Sequence, residues 1–185
     1  VAAGDFTTLA AVKDWLGLTS SAEDALLARL ITNTSADIVN YLGRSVLTAS
    51  FAEKRDGTGG DRIMAAGYPI AAVQSVYVNG VLLPQSIDGV RAVGWGFDSR
   101  GFTYVGGRWP MGRRNVWLNY TAGFATPPSD IDQACLDWVS FRYREKDRIG
   151  NASKSVAGET VSFITTPMPS TVKSSLASYC KVVPT

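Results

Sequence analysis

Apolar residues along this chain change their spacing twice, and the changes outline its elements. Near the start, Leu9, Val12, Trp15 and Leu16 recur at the period of one helical face. Thr8 stands before them as a side chain able to accept a backbone N–H, and Gly17 follows as a residue free to adopt a left-handed stop. The pattern therefore predicts a short helix over about 8–16. Ser20 and Glu23 have the spacing of a capping box, which predicts a longer helix over about 20–42 carrying Leu27, Leu30, Ile31, Ile38, Tyr41 and Leu42 and ended by Gly43.

From Val46 the helical period is lost. Val73 to Leu83 reads as two strands around Asn79-Gly80, because both residues tolerate the positive φ that a type I′ turn requires. Shorter strands are predicted near Phe51 to Lys54, Arg62 to Met64, Trp95 to Phe97, Phe102 to Val105 and Val116 to Tyr120, together a small antiparallel sheet or barrel. After Pro127-Pro128 the helical period returns: Ser129 is a cap, Asp130 and Asp132 suit the positive end of a helix dipole, and Ile131, Ala134, Cys135, Trp138, Val139 and Arg142 form one stripe of a helix to about Arg148. Beyond Gly150 the chain is rich in Ser, Thr, Val and Pro, which predicts an extended arm with a final helical turn from Val172 to Tyr179. The expected organisation is a domain over 1–149, with helices at 8–16, 20–42 and 129–148 around a β-rich insertion at 46–124, and an arm over 150–185. The expected class is α+β, mainly α, a helical bundle with a small antiparallel element.

Composition narrows what such a domain does. With 18 basic and 16 acidic residues in 185, the net charge of +2 demands neither a nucleic acid nor a membrane as partner, so any basic surface is local. Ile63 to Val73 is the longest stretch free of charged residues and strong hydrogen-bonding side chains, contains Gly67 and Pro69, and falls short of the ~20 apolar residues of a membrane span. The start, Val1 to Asp5, has no basic and apolar leader pattern, so a cytosolic origin is expected. Cys135 and Cys180 read as two reduced thiols. Histidine is absent, which removes the commonest general base and metal ligand and weighs against an enzyme.

The motifs that resemble chemistry are weak. Asp56 to Asp61 lacks the spacing and terminal Glu of a calcium loop and reads as a connection between strands. Gly94-Trp95-Gly96 lacks the third glycine of a dinucleotide fingerprint, and Ser170-Thr171-Val172-Lys173 matches an acylating dyad only in its spacing. No cofactor is expected. More distinctive is Arg91 to Arg114, with five arginines against one aspartate and with Trp95, Phe97, Phe102, Tyr104 and Trp109 interleaved. Such a segment suits stacking on bases and neutralising phosphates, or else a hairpin whose aromatics are core and whose arginines are solvated. A small β-rich module binding carbohydrate through Trp95, Trp109 and Trp117, or single-stranded nucleic acid through residues 91–117, is the alternative class.

Several stretches in order resemble the gp6-like head-tail connector (adaptor) family of siphophages and gene transfer agents. They are Leu9 to Leu16, Tyr68-Pro69-Ile70 leading into Val73 to Val76 and Asn79-Gly80, Tyr120 to Phe124 followed by Pro128, Ile131 and Ala134, and Leu176 to Tyr179. The resemblance implies a non-catalytic virion subunit made in the bacterial cytoplasm, mostly helical. It would form a ring of about twelve copies beneath the portal protein, extend the channel for double-stranded DNA and seat a stopper or tail completion protein, without membrane contact. On that reading, Arg91, Arg100, Arg108, Trp109, Arg113 and Arg114 face the channel or tail. Val156, Thr160, Val161, Ile164, Thr165, Thr166, Leu176 and Tyr179 form the portal-binding arm, and Arg142, Arg144 and Arg148 face the neighbouring subunit.

Overall fold

The computed structural model describes residues 4–87, 93–146, 153–156, 159–162 and 168–181. The described chain divides into a helical unit, residues 1–44 with 127–185, and a β unit, residues 45–126.

In the helical unit, α1 runs over Leu9–Leu16 and begins where expected: Thr8 Oγ1 accepts the Ala11 N–H at 3.1 Å, and Gly17 closes the helix at φ 69°. Helix α2, Asp24–Leu42, begins later than the Ser20 capping box predicts. Ser20 Oγ accepts instead from Ala22 N at 3.2 Å, Glu23 makes no side-chain cap, and its carboxylate is taken by Lys146. Helix α3, Ser129–Glu145, buries Ile131, Ala134, Cys135, Leu136, Trp138 and Val139 and packs on α1 and α2. Between α2 and α3 the seam is partly polar: Ser35 Oγ accepts the Phe6 N–H at 3.0 Å and lies 3.6 Å from Cys135 Sγ. Burial pushes the Cys135 thiol up to about 12, so it is an inert packing group. Within α2, Leu27, Ile31, Ile38 and Leu42 are buried as the spacing predicts, whereas Tyr41 is exposed.

The β unit contains β1 (Ala49–Gly57), β2 (Arg62–Met64), β3 (Ile70–Val78), β4 (Val81–Leu83), β5 (Gly94–Phe97), β6 (Gly101–Val105) and β7 (Gly112–Ala122). One antiparallel sheet has the order β1-β7-β3-β4 and a second the order β2-β6-β5. The turn between β3 and β4 is made by Asn79 at φ 51° and Gly80 at φ 82°, as the sequence signal requires. Past β4 the chain joins the two sheets, with Trp95 N donating to Pro84 O at 3.0 Å and Ser86 N to Trp95 O at 2.8 Å. Alternation along β7 sends Val116, Leu118, Tyr120 and Ala122 inward, where they meet Val76, Ile63, Phe102, Trp95 and Trp109 in one core. Phe51 stacks on Tyr120 at 5.2 Å, and Phe102 meets the same ring edge-on at 5.4 Å.

The expectation of a mainly helical bundle with a small β element is therefore wrong. Among the described residues α-helix covers 51 and strand 52, and the β segment builds its own core. The sequence signals marked only parts of β1 and β7, nine and eleven residues long, because strands gain their stability from long-range partners that single-strand periodicity does not reveal. The segment after α3 carries the expected final helical turn, packed against the helical unit. After a strand pair, β8 (Ser153–Val156) with β9 (Glu159–Ser162), the chain forms α4, Ser170–Leu176, and a 3₁₀ turn, Ala177–Tyr179, packed on α3. Met168, Val172 and Leu176 are buried there, and Lys181 N donates to Leu42 O at 2.9 Å.

Candidate assembly surfaces

The best-built feature on the surface is a bulge at one end of the β unit. Between β1 and β7 the pairing passes from Arg55↔Val116 to Gly57↔Gly112, so Arg113, Arg114 and Asn115 are looped out against Asp56 alone. Three contacts fix the loop. Asp56 Oδ1 accepts the Arg114 N–H at 2.6 Å, Asn115 Oδ1 accepts the Gly57 N–H at 2.8 Å, and Asn115 Nδ2 donates to Pro110 O at 2.9 Å. Arg114 sits at φ 50°, uncommon for a residue with a side chain, and its carbonyl accepts from Trp117 Nε1 at 3.3 Å. Gly57 is required at this place, since a Cβ there would lie 1.8 Å from Pro110 O. The Asp56 carboxylate is occupied by a backbone group, which leaves the guanidiniums of Arg113 and Arg114 exposed, beside an exposed Arg108 and Met111. Among the described residues no carboxylate pairs with these three arginines.

Trp109 is placed otherwise than the resemblance implies. It is fully buried, its Nε1 donates to Asp61 O at 3.0 Å, and its ring meets Tyr104 edge-on at 5.2 Å. Its neighbour Arg108 is displayed because Trp109 anchors the loop from below. Trp95 is buried too, with Nε1 donating to Leu83 O at 3.0 Å. Of the three tryptophans considered for carbohydrate, only Trp117 is exposed, so the stacking platform does not exist. Arg100 lies in the turn between β5 and β6, with its guanidinium 5.9 Å from the Tyr68 ring, while its backbone N–H donates to Asp98 Oδ1. That N–H, with smaller contributions from Arg62 and Gly101, holds the Asp98 carboxyl below the usual carboxylate range. Arg91 lies outside the described residues.

The basic end of α3 is mostly committed to its own unit. Arg142 donates to Asp37 Oδ2 at 2.6 Å and Thr34 Oγ1 at 3.2 Å and stacks 4.3 Å over Trp138. Lys146 Nζ donates to both Glu23 oxygens at 2.8 Å, which lowers the Glu23 carboxyl from its ordinary value. Arg144 is exposed, and Arg148 lies outside the described residues. Among the residues expected for portal binding, Leu176 is fully buried and Tyr179 donates to Asp130 Oδ2 at 2.9 Å. Val156, Thr160 and Val161 lie in β8 and β9; Ile164, Thr165 and Thr166 lie outside the described residues.

Sequence reasoning missed a second surface. Register places Lys54, Trp117, Tyr77 and Leu82 side by side across β1, β7, β3 and β4, on the sheet face away from the core. Lys54 Nζ lies 3.9 Å over the Trp117 ring, and Trp117, Leu82 and the adjacent Val81 are 42%, 58% and 70% exposed. The clue in the sequence is Trp117, an aromatic at the outward position of an alternating strand; recognising the row needed the strand order.

The described surface thus carries two distinct features, the exposed cations of the bulge and the exposed aromatic row on the outer sheet face. The chain belongs to the head completion protein family, whose sequence pattern it matches over residues 5–182, and is a structural head-tail connector. No curated protein matches it significantly. Solved structures that share its fold include three from gene transfer agent particles. One, "Neck of empty GTA particle computed with C6 symmetry", is 23% identical with a TM-score of 0.59 over 97% of this chain and 92% of that one. Another, "Virion of native gene transfer agent (GTA) particle", is 20% identical with a TM-score of 0.60 over 100% and 94%. "Neck of native GTA particle computed with C12 symmetry" is 21% identical with a TM-score of 0.57 over 96% and 90%.

Proposed function

We propose that this protein forms a ring of about twelve copies at the neck of a tailed phage or gene transfer agent, between the portal protein and a stopper or tail completion protein. It extends the DNA channel and works as a structural part, with no catalysis and no cofactor. Family membership across nearly the whole chain carries the reading. The likeness in fold to neck proteins of a particle treated with sixfold and twelvefold symmetry supports the ring. Arg108, Arg113 and Arg114 face the channel or the next tail component, where displayed guanidiniums meet passing phosphates without reading sequence. Portal contact falls to the segment around Ile164, Thr165 and Thr166, because Leu176 is needed for the fold of the helical unit. Arg144 is the exposed cation left on α3 for a neighbouring copy. Light scattering with and without the portal protein tests the assignment. A mass near that of a twelve-membered ring in the presence of portal is expected, and a monomer under both conditions would refute it.

A further inference from the structure

Two strand edges in the β unit face one another without pairing. Among the described residues β1 pairs only with β7, and β2 only with β6. The chain closes part of this seam itself: Ala66 N donates to Glu53 Oε1 at 3.1 Å, and Gly67 N to Tyr120 Oη at 2.9 Å. Beyond Glu53 the seam widens into a groove lined by Lys54, Arg55, Asp56, Arg62, Ile63 and Met64. An open edge is a template for another strand, and charged residues along it reject apolar ones. Elsewhere in the chain the opposite deficiency occurs. Strands β8 and β9, four residues each, pair only with one another among the described residues, and an isolated two-stranded hairpin is marginal in water without a third strand.

We propose that the open end of β1 receives the β8–β9 hairpin of a neighbouring copy, so that successive subunits are joined by strand addition. The proposal rests on the ring reading and names its subunit contact; it assigns Val156, Thr160 and Val161 to the neighbouring copy rather than to the portal. The stretch of β1 beyond Glu53, Lys54 to Gly57, has β7 on one side and no strand on the other among the described residues, and it matches the four-residue strands in length. Charge does not oppose the contact: Arg55 and Arg62 beside the groove are paired with Glu53 and Asp98, and the hairpin's Lys154 and Glu159 cancel among Ser, Thr and Val. Such a strand is polar enough to be accepted at a charged edge and β-branched enough to remain extended. A head-to-tail exchange of this kind closes into a ring when the rotation per subunit allows it.

Cross-linking between differently labelled copies tests the proposal. In a Cys180→Ser background, where the remaining Cys135 is buried and unreactive, one preparation carries Met64→Cys and another Thr160→Cys. The two are mixed, assembled with portal-bearing heads and treated with a short bismaleimide. Cross-linked dimers from the mixture, absent from either preparation alone, are the expected result. A ladder of higher multimers should follow when both cysteines are on one chain. Rings visible by electron microscopy without any cross-link would overturn the strand exchange and leave the ring intact; a cross-link confined within monomers of the doubly substituted chain would overturn it in favour of self-pairing. Absence of rings altogether would refute the ring reading, and the exchange with it. As a second measurement, replacing 153–156 and 159–162 by Gly and Ser should raise the concentration needed for assembly by about tenfold or more. An unchanged assembly midpoint with intact rings also overturns the exchange.

Discussion

The chain has two places where arginines gather beside tryptophan, and they do opposite things. At the end of α3, Arg142 lies over Trp138 and is held by Asp37 and Thr34, while Lys146 is held by Glu23. At the β1–β7 bulge, the nearby carboxylate of Asp56 is bound to the Arg114 backbone, so Arg108, Arg113 and Arg114 remain on display. Composition is nearly the same in both places. The difference lies in what the acidic partner is bonded to: a carboxylate that reaches the guanidinium turns a cation into part of the fold, and one used by the backbone leaves it available to a partner.

The largest test of this contrast removes the anchor under the displayed cations. Trp109→Ala should cost about 3–5 kcal/mol, since the indole is fully buried and its Nε1 bond to Asp61 O is lost with it; chemical denaturation measures the loss. A change below about 1 kcal/mol would mean that the bulge stands without its anchor. Next, Arg142→Ala should cost about 1–2 kcal/mol, because a stacked guanidinium with two hydrogen bonds is removed from a partly exposed site.

Smaller still, Glu23→Gln should lower the melting temperature at pH 7 slightly. The Lys146 hydrogen bond depresses the folded Glu23 pKa, so its contribution is present above the unfolded value and is lost as pH falls through the folded one. Thermal melts of the two proteins should therefore converge in acid; a gap that persists there would assign the effect to packing. The smallest effect on stability is expected where function is expected to suffer most. Replacing Arg108, Arg113 and Arg114 by Ser should change unfolding free energy by less than about 0.5 kcal/mol. Assembly on heads should be spared and DNA retention or tail joining impaired, as particle counts and packaged DNA would show. A large loss of stability would place these side chains in the fold and erase the contrast.

Local signals in the sequence determined a good deal. Thr8 and Gly17, Gly43, the Asn79-Gly80 turn and the buried stripe of α3 each act through bonds or periodicities within a few residues, and each is where its pattern predicts. The ordered motifs were also enough to show the head-tail connector family. Ser20 with Glu23 failed although its signal was equally local, because Lys146, 123 positions away, took the Glu23 carboxylate.

Tertiary structure decided which aromatics are core, which arginines are free and how large the β unit is. Trp95 and Trp109 are buried while Trp117 is exposed, a distinction set by the pairing of β7 with two strands at once and by the bulge that shifts its register. The final helical turn is docked because Val172 and Leu176 are buried where α4 packs on α3, an element already read in the sequence but not as their partner. Periodicity tells a residue which face of its own element it occupies. Whether that face is covered depends on strand order, register and packing, and those are settled by contacts between residues far apart along the chain.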